Sequence, residues 1–336
     1  MSLFQISQGH GDTLVEIYIK KNPVRITKVY DHYWIFAKKR QDVFFSRING
    51  EIYPWSDDPI LQKYKFTNAY RASDRVSQYL IKEVLYKGDQ SSSEVFFRCL
   101  LFKLFNKTET WKTLVTNLGE LSRRNFSFKN YDRVLTDAMK RGESIYSAAY
   151  IMPSRGIPSG HNKKHRMHLE LVSKMLSDEL PEKISNAESL KEVYELLLAY
   201  PGIGRFLAFQ YAIDLNYSNI INFSEMDFVV AGPGAKNGIS KCFSDTAGFS
   251  DEDLIKHMAD SQYDEFRRLD LEFQSLWGRP LQLVDCQNLF CEIDKYSRVK
   301  FPELSAPTGR TRIKQKYKLN PVPVVYWYPP KWGINQ

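Results

Sequence analysis

Cysteine is scarce in this chain: 336 residues carry four, Cys99, Cys242, Cys286 and Cys291. They lie in apolar or helical contexts without paired spacing, which excludes a disulfide-stapled secreted scaffold and fits a reducing, cytoplasmic setting. Nor are they closely spaced like the four ligands of an iron–sulfur centre, so no cluster is expected. No apolar run approaches the roughly 20 residues of a membrane helix, and the opening Met1-Ser2-Leu3-Phe4-Gln5 has no basic n-region and no apolar h-region. A membrane partner is therefore not expected. The sequence has no G-x-x-x-x-G-K-[ST] phosphate loop and no H-E-x-x-H. His161 and His165 stand one turn apart, but the pattern offers no third ligand, and no metal is expected. Acidic residues are outnumbered, 39 against 47 Lys and Arg; the balance of +8 and the pI of about 9.1 favour a polyanionic partner.

A hydrophobic content of 43% is enough for a full core in one large domain or two packed ones. From Leu14 to about Tyr53, short alternating runs such as Val15–Ile19 and Val43-Phe44-Phe45, separated by Asn22-Pro23 and Asn49-Gly50, read as strand or irregular structure. Helix is an alternative between Tyr30 and Arg40. From Ser73 onward the period becomes helical: Val76, Leu80 and Val84, then Ser93 to Phe105 and Thr108 to Leu118. Turns are expected at Pro153 to Gly160, Pro181, Pro201 and Pro233. These shifts suggest a mixed segment over 1–65, a helical domain over 66–308 and a basic, then Pro/aromatic, arm over 309–336.

The most informative stretch runs from Glu188 to Gly234. Leu190, Val193, Leu196, Leu197 and Tyr200 recur at helical spacing, Pro201-Gly202-Ile203-Gly204 forms a turn, and Phe206 to Leu215 supplies a second apolar helix. Gly202 and Gly204 permit positive φ and close backbone approach, while Ile203 plugs the helix pair. Backbone N–H groups at the second helix start, followed by Arg205, suit a nucleic-acid phosphate. Downstream lie two carboxylates, Glu225 and Asp227, which an extended backbone would place on one face.

This turn and its following aspartate resemble the helix-hairpin-helix of DNA glycosylases. Phe66-Thr67-Asn68-Ala69-Tyr70-Arg71, Asp74-Arg75-Val76, Asn216-Tyr217-Ser218, Phe223 through Gly232-Pro233-Gly234-Ala235, and Arg279 through Asn288 resemble a narrower family. It comprises the helical domain of hydroxymethyldeoxyuridine DNA kinases and the α-glutamyl/putrescinyl thymine pyrophosphorylases. The resemblance spans about Tyr30 to Lys318. It implies a mainly α, helix-hairpin-helix DNA glycosylase-like fold with a small mixed N-terminal segment, acting on DNA that carries modified pyrimidines. Without the kinase phosphate loop, the chain is expected to work alone or, as a transferase, with a separate kinase.

The leading expectation is a monofunctional DNA glycosylase that flips out a hypermodified pyrimidine, cuts its glycosidic bond and leaves an abasic site, as an antiphage defence would. Asp227 would stabilise the developing sugar cation, with Glu225 as its understudy. One alternative is an amino acid or polyamine:DNA transferase that displaces pyrophosphate from an activated hydroxymethyl pyrimidine; another is a non-catalytic reader of modified DNA. No cofactor is expected beyond a monovalent cation at the hairpin.

Further residues complete the expected site. Arg71 and Arg75 share a helix face beside Asp74, a pattern that alone reads as an ion-pair helix entrance. With the resemblance, Asn68, Tyr70, Arg71, Asp74, Arg75, Gln210 and Tyr211 become base-pocket candidates. Asp285, Asn288 and Glu292 fall on one helix face, as a hydrogen-bonding wall for a base or as helix-to-helix contacts. Lys163, Lys164 and Arg166 suit phosphate contacts or a solvated face, and Arg310, Arg312, Lys314 and Lys316 an extended phosphate-binding arm or a tail. Pro321 to Pro330 reads as a rigid strap.

Overall fold

The computed structural model describes residues 4–7, 14–150, 152–153, 160–304, 309–320 and 325–335, and these are mainly helical. In chain order the strands and helices are β1 (Phe4–Ser7), β2 (Leu14–Ile19), β3 (Asn22–Ile26), α1 (Lys28–Ile48), α2 (Pro59–Lys63), α3 (Arg75–Tyr79), α4 (Ser92–Phe105), α5 (Thr108–Leu118), α6 (Phe128–Lys140), α7 (Lys164–Ser177), α8 (Leu180–Ser185), α9 (Leu190–Leu198), α10 (Arg205–Asn216), α11 (Pro233–Cys242), β4 (Phe243–Asp245), α12 (Asp251–Arg268) and α13 (Leu283–Lys300). None of these helices is long and apolar enough to cross a membrane. The chain forms two compact units, Met1–Asp74 with Val229–Val325, and Arg75–Phe228 with Tyr326–Gln336. Compactness thus divides the chain differently from composition, because α11 and α13 pack against α1.

In the first unit, β1 to β4 make an antiparallel sheet in sequence order. Opposed pairs such as Ile17↔Val24 bury one face. The β2–β3 turn falls on Lys20 and Lys21, both at positive φ, so Asn22-Pro23, expected as a separator, opens β3 instead. Thr27 then caps α1 by accepting from Val29 N–H at 3.1 Å. The run Val43-Phe44-Phe45, expected as strand, lies inside α1. Three apolar residues do not define a period, and burial of Phe44 with Gln41 and Ala37 on one helical stripe decides the matter.

The central helix α13 packs against α1, α11 and α12. At Gly238 of α11, an added Cβ would fall inside the envelope of the Phe290 carbonyl, so the two backbones meet directly and only glycine fits. One turn away, Lys241 Nζ is 3.0 Å from Asp294 Oδ1 and donates to Ser297 Oγ at 3.0 Å. The basic arm is pinned to this unit: Lys65 N–H donates to Gln315 O and Tyr317 N–H to Lys63 O, both at 3.0 Å.

The second unit is built around α4, which is apolar almost all round and packs against α5, α7, α8 and α10. Its Lys103 pairs with fully buried Asp214 of α10 at 3.1 Å. The helices α9 and α10 meet across a short turn in which Gly202 takes φ +81° and Ile203 is buried, as the sequence suggests. Gly204, however, has φ −83° and needs no left-handed freedom. Pro181 and Pro233 are not turns but first-turn residues of α8 and α11, where proline lacks only an N–H that has no helical partner. Residues 154–159 of the expected Pro153–Gly160 turn, and 321–324 of the expected strap, lie outside the described residues. The remainder of the strap holds to the second unit, with Trp327 N–H on Gln78 Oε1 at 2.7 Å and Lys331 Nζ donating to Ser218 O and Ile221 O.

Candidate functional site

The segment from Thr67 to Asp74 is folded by its own polar groups. Tyr70 O accepts from Ser73 N–H to close a 3-10 turn over Arg71–Ser73, and Asp74 Oδ1 reaches back to accept Asn68 N–H at 2.9 Å. Two carboxylates of α13 hold the segment against that helix. Glu292 Oε2 accepts Thr67 N–H at 3.2 Å and Asp285 Oδ1 accepts Arg71 N–H at 2.7 Å. Residues 67 to 71 therefore run along α13 from its Glu292 turn to its Asp285 turn, with Asn288 between the two anchors. Arg40 of α1 closes the side, donating to Thr67 O and to Asn68 Oδ1, each at 2.9 Å.

Several expected pocket residues are occupied by these tasks. Asn68 is spanned between Arg40 and Ser73 O. Tyr70 hydroxyl donates to Arg279 O at 2.6 Å and accepts Leu276 N–H, so it ties down the 276–279 turn. Asp285 also accepts Gln282 N–H at 3.0 Å, completing a capping box at the start of α13. Arg71 is buried and Arg75 exposed. Gln210 and Tyr211 belong to the second unit, wholly buried in α10.

A few polar atoms here have no hydrogen-bond partner among the described residues. The Asn288 side chain is 8% exposed and makes no hydrogen bond among the described residues. Thr67 Oγ1 is buried without a partner, and Asp74 uses only Oδ1. Burial pushes the Asp74 carboxyl up to about 6; Glu292 pushes the same way, while Asn68 N–H, Arg40 and Arg71 oppose it. Burial also holds the Arg40 guanidinium below its ordinary value, with Asp74 and Glu292 offsetting part of that. A half-buried carboxylate shifted toward neutrality beside two guanidiniums is a common signature of a functional position. Arg40 and Thr67 are not legible as site residues. Arg40 sits in a charged run, Lys38 to Asp42, that reads as a solvated face, and Thr67, though inside the Phe66–Arg71 run, has no chemical signal of its own.

Each of the other expected residues has its own local setting. Glu225 and Asp227 occupy a turn and a bend rather than an extended run, so they do not share a face: Glu225 is 4% exposed and Asp227 lies at the surface. Arg166 forks onto Asp132 at 2.7 and 2.8 Å, and His165 Nε2 is 2.7 Å from the same carboxylate. Lys164 Nζ lies over the Tyr146 ring, and Lys163 is exposed. Gly202 to Arg205 form the tight turn, with Gly204 and Arg205 exposed. Arg310, Arg312, Lys314 and Lys316 are all exposed, at every second position of the pinned arm.

A family model described as the helical domain of 5-hmdU DNA kinase matches residues 27–306. A 5-hmdU DNA kinase of Bacillus phage SP10 is 27% identical over 336 residues, which take in 93% of this chain and 52% of that protein. The chain thus spans about half the length of this relative. No solved structure matches. These findings overturn the glycosylase expectation, because both descriptions are of a kinase, a phosphotransferase on modified DNA, and not of a hydrolase that cuts a glycosidic bond. That expectation rests on one short turn, the aspartate that follows it and the missing kinase phosphate loop. The excision chemistry, the abasic product and the helix-hairpin-helix label attached to them fall with it, and neither description is of a pyrophosphate-displacing transferase or a non-catalytic reader. With a match covering most of its length, the chain belongs to the family of 5-hmdU DNA kinase helical domains.

Proposed function

We propose that this chain serves the phosphorylation of 5-hydroxymethyl-2′-deoxyuridine in DNA, and that its own share is to hold the modified DNA and present the hydroxymethyl group. The observation that carries this reading is the family match over residues 27–306, joined to the kinase name of a relative about twice as long. Phosphoryl transfer asks little covalent chemistry of a protein. It asks for an in-line approach of the hydroxyl oxygen and for compensation of negative charge. The exposed basic row at Arg310, Arg312, Lys314 and Lys316 supplies positive charge on a fixed backbone, suited to phosphates. The Gly202–Arg205 turn offers backbone N–H groups at the start of α10, where an anion is favoured. A base inside a duplex is out of reach of either partner in the transfer, so the modified nucleotide is taken from single strands or extruded.

The test compares oligonucleotides that differ at one base, 5-hydroxymethyluracil or thymine, in binding and in transfer of label from a γ-labelled nucleoside triphosphate. Preferential binding of the hydroxymethyl oligonucleotide supports the reading, and label on it, with this chain alone or with a companion kinase domain, extends it. Equal binding of both oligonucleotides, with no label transferred, would sink it.

A further inference from the structure

Three polar groups of the first unit have hydrogen-bonding capacity that no described residue fills: the Asn288 amide, Thr67 Oγ1 and Asp74 Oδ2. Of these, Thr67 Oγ1 is buried, and a buried hydroxyl is nearly always paired, while Asn288 keeps 8% of its surface exposed. The neighbouring groups do not share this condition. Asp285 and Glu292, three residues before and four after, each grip a backbone N–H of the 67–71 segment, and Asn68 and Tyr70 within it are satisfied. The framework is thus completed without the Asn288 amide, Thr67 Oγ1 or Asp74 Oδ2.

Resting on the function proposed above, we infer that these three groups receive the 5-hydroxymethyluracil base itself. In this assignment Asn288 pairs with the ring's imide edge, and Asp74 Oδ2 accepts the hydroxymethyl O–H. The chemistry fits on both sides. An amide offers one acceptor and one donor group side by side, matching the adjacent N3–H and O4 of a uracil ring. The hydroxymethyl group at C5 lies next to O4, and this assignment gives its O–H to Asp74. Thr67 Oγ1, able to donate, serves the hydroxymethyl oxygen. Thymine has a methyl group at that position and would leave Asp74 Oδ2 and Thr67 Oγ1 empty, so the same groups that bind the hydroxyl reject its absence.

The experiment measures affinity of the whole chain for single-stranded oligonucleotides carrying one 5-hydroxymethyluracil or one thymine, using wild type, Asp74→Asn, Asn288→Leu and Thr67→Val. Asp74→Asn keeps the Oδ1 acceptor that staples Asn68. It is expected to erase on the order of tenfold of the preference for hydroxymethyluracil while leaving thymine affinity in place. Asn288→Leu is expected to weaken both oligonucleotides alike, since both share the imide edge. A wild type that prefers hydroxymethyluracil, with all variants keeping that preference and affinity, overturns the site but leaves the proposed function standing. A wild type indifferent to the two bases removes both. Should Asp74→Asn fail to fold, Thr67→Val decides, because an unchanged preference in that variant refutes the assignment equally.

Discussion

Asp132 in the second unit and Asp74 in the first are both carboxylates beside guanidinium groups, and their surroundings treat them in opposite ways. Asp132 receives a forked pair from Arg166, a bond from Thr136 Oγ1 and the ring of His165, and these hold its carboxyl down at about 2 against the burial that raises it. Asp74 receives a single backbone N–H, has Glu292 nearby, and is pushed up to about 6, chiefly by burial. The first arrangement exhausts the carboxylate and makes it a fastening. The second leaves Oδ2 without a partner among the described residues, and that is the atom to which the proposed site assigns the hydroxymethyl O–H.

The contrast can be tested first where satisfaction is most complete. Lys103→Met strands the buried Asp214 carboxylate and is expected to destabilise the protein by about 3–5 kcal/mol in urea unfolding. A loss below about 1 kcal/mol would mean that such pairs are not what fastens the second unit. Next in size is Asp132→Asn, expected to cost about 2 kcal/mol at neutral pH. Because the folded state depresses this carboxyl, its contribution is present above the unfolded value near 4 and disappears as pH falls toward 2, where variant and wild type should converge. Asp74→Asn should behave in the reverse sense. Its folded carboxyl is raised, so the penalty stands above pH 6 and is relieved as pH falls from 6 toward the unfolded value. The variant is therefore expected to be more stable than wild type by on the order of 1 kcal/mol at pH 7.5, a gap that narrows by pH 4.5 in thermal melts. A destabilised Asp74→Asn would place Asp74 with Asp132 among the fastenings. The smallest effect is expected in the arm: Lys314→Gln with Lys316→Gln should flatten the log–log salt dependence of DNA binding by roughly 0.9 for each duplex phosphate no longer neutralised. An unchanged slope would mark those lysines as solvated.

Long apolar periods are the legible part of the fold. The α5 bounds, nearly all of α4, and the helix pair flanking Pro201-Gly202 follow from spacing alone, since each buries a wide stripe. The three-residue run at Val43 is not legible, because period needs length. For the site, sequence can gather Asn68, Asp74, Asp285 and Asn288 but cannot rank them. Which of them is free depends on partners distant in the chain: Arg40 for Asn68, the Arg71 backbone for Asp285, none for the Asn288 side chain among the described residues. The same blindness affects Glu225 and Asp227, where a turn replaces the assumed extended backbone and sends the two carboxylates to different environments.

The direct backbone meeting of Gly238 and Phe290 bears on how the Asn288 turn would accept a guest. Most helix pairs are separated by a layer of side chains that can change rotamer and let one helix slide. Here that layer is missing two residues from Asn288, so this part of α13 cannot slide along α11. A backbone held in this way keeps the Asn288 Cα where it stands, and a base bound as proposed would cost little rearrangement of the helix that carries the amide.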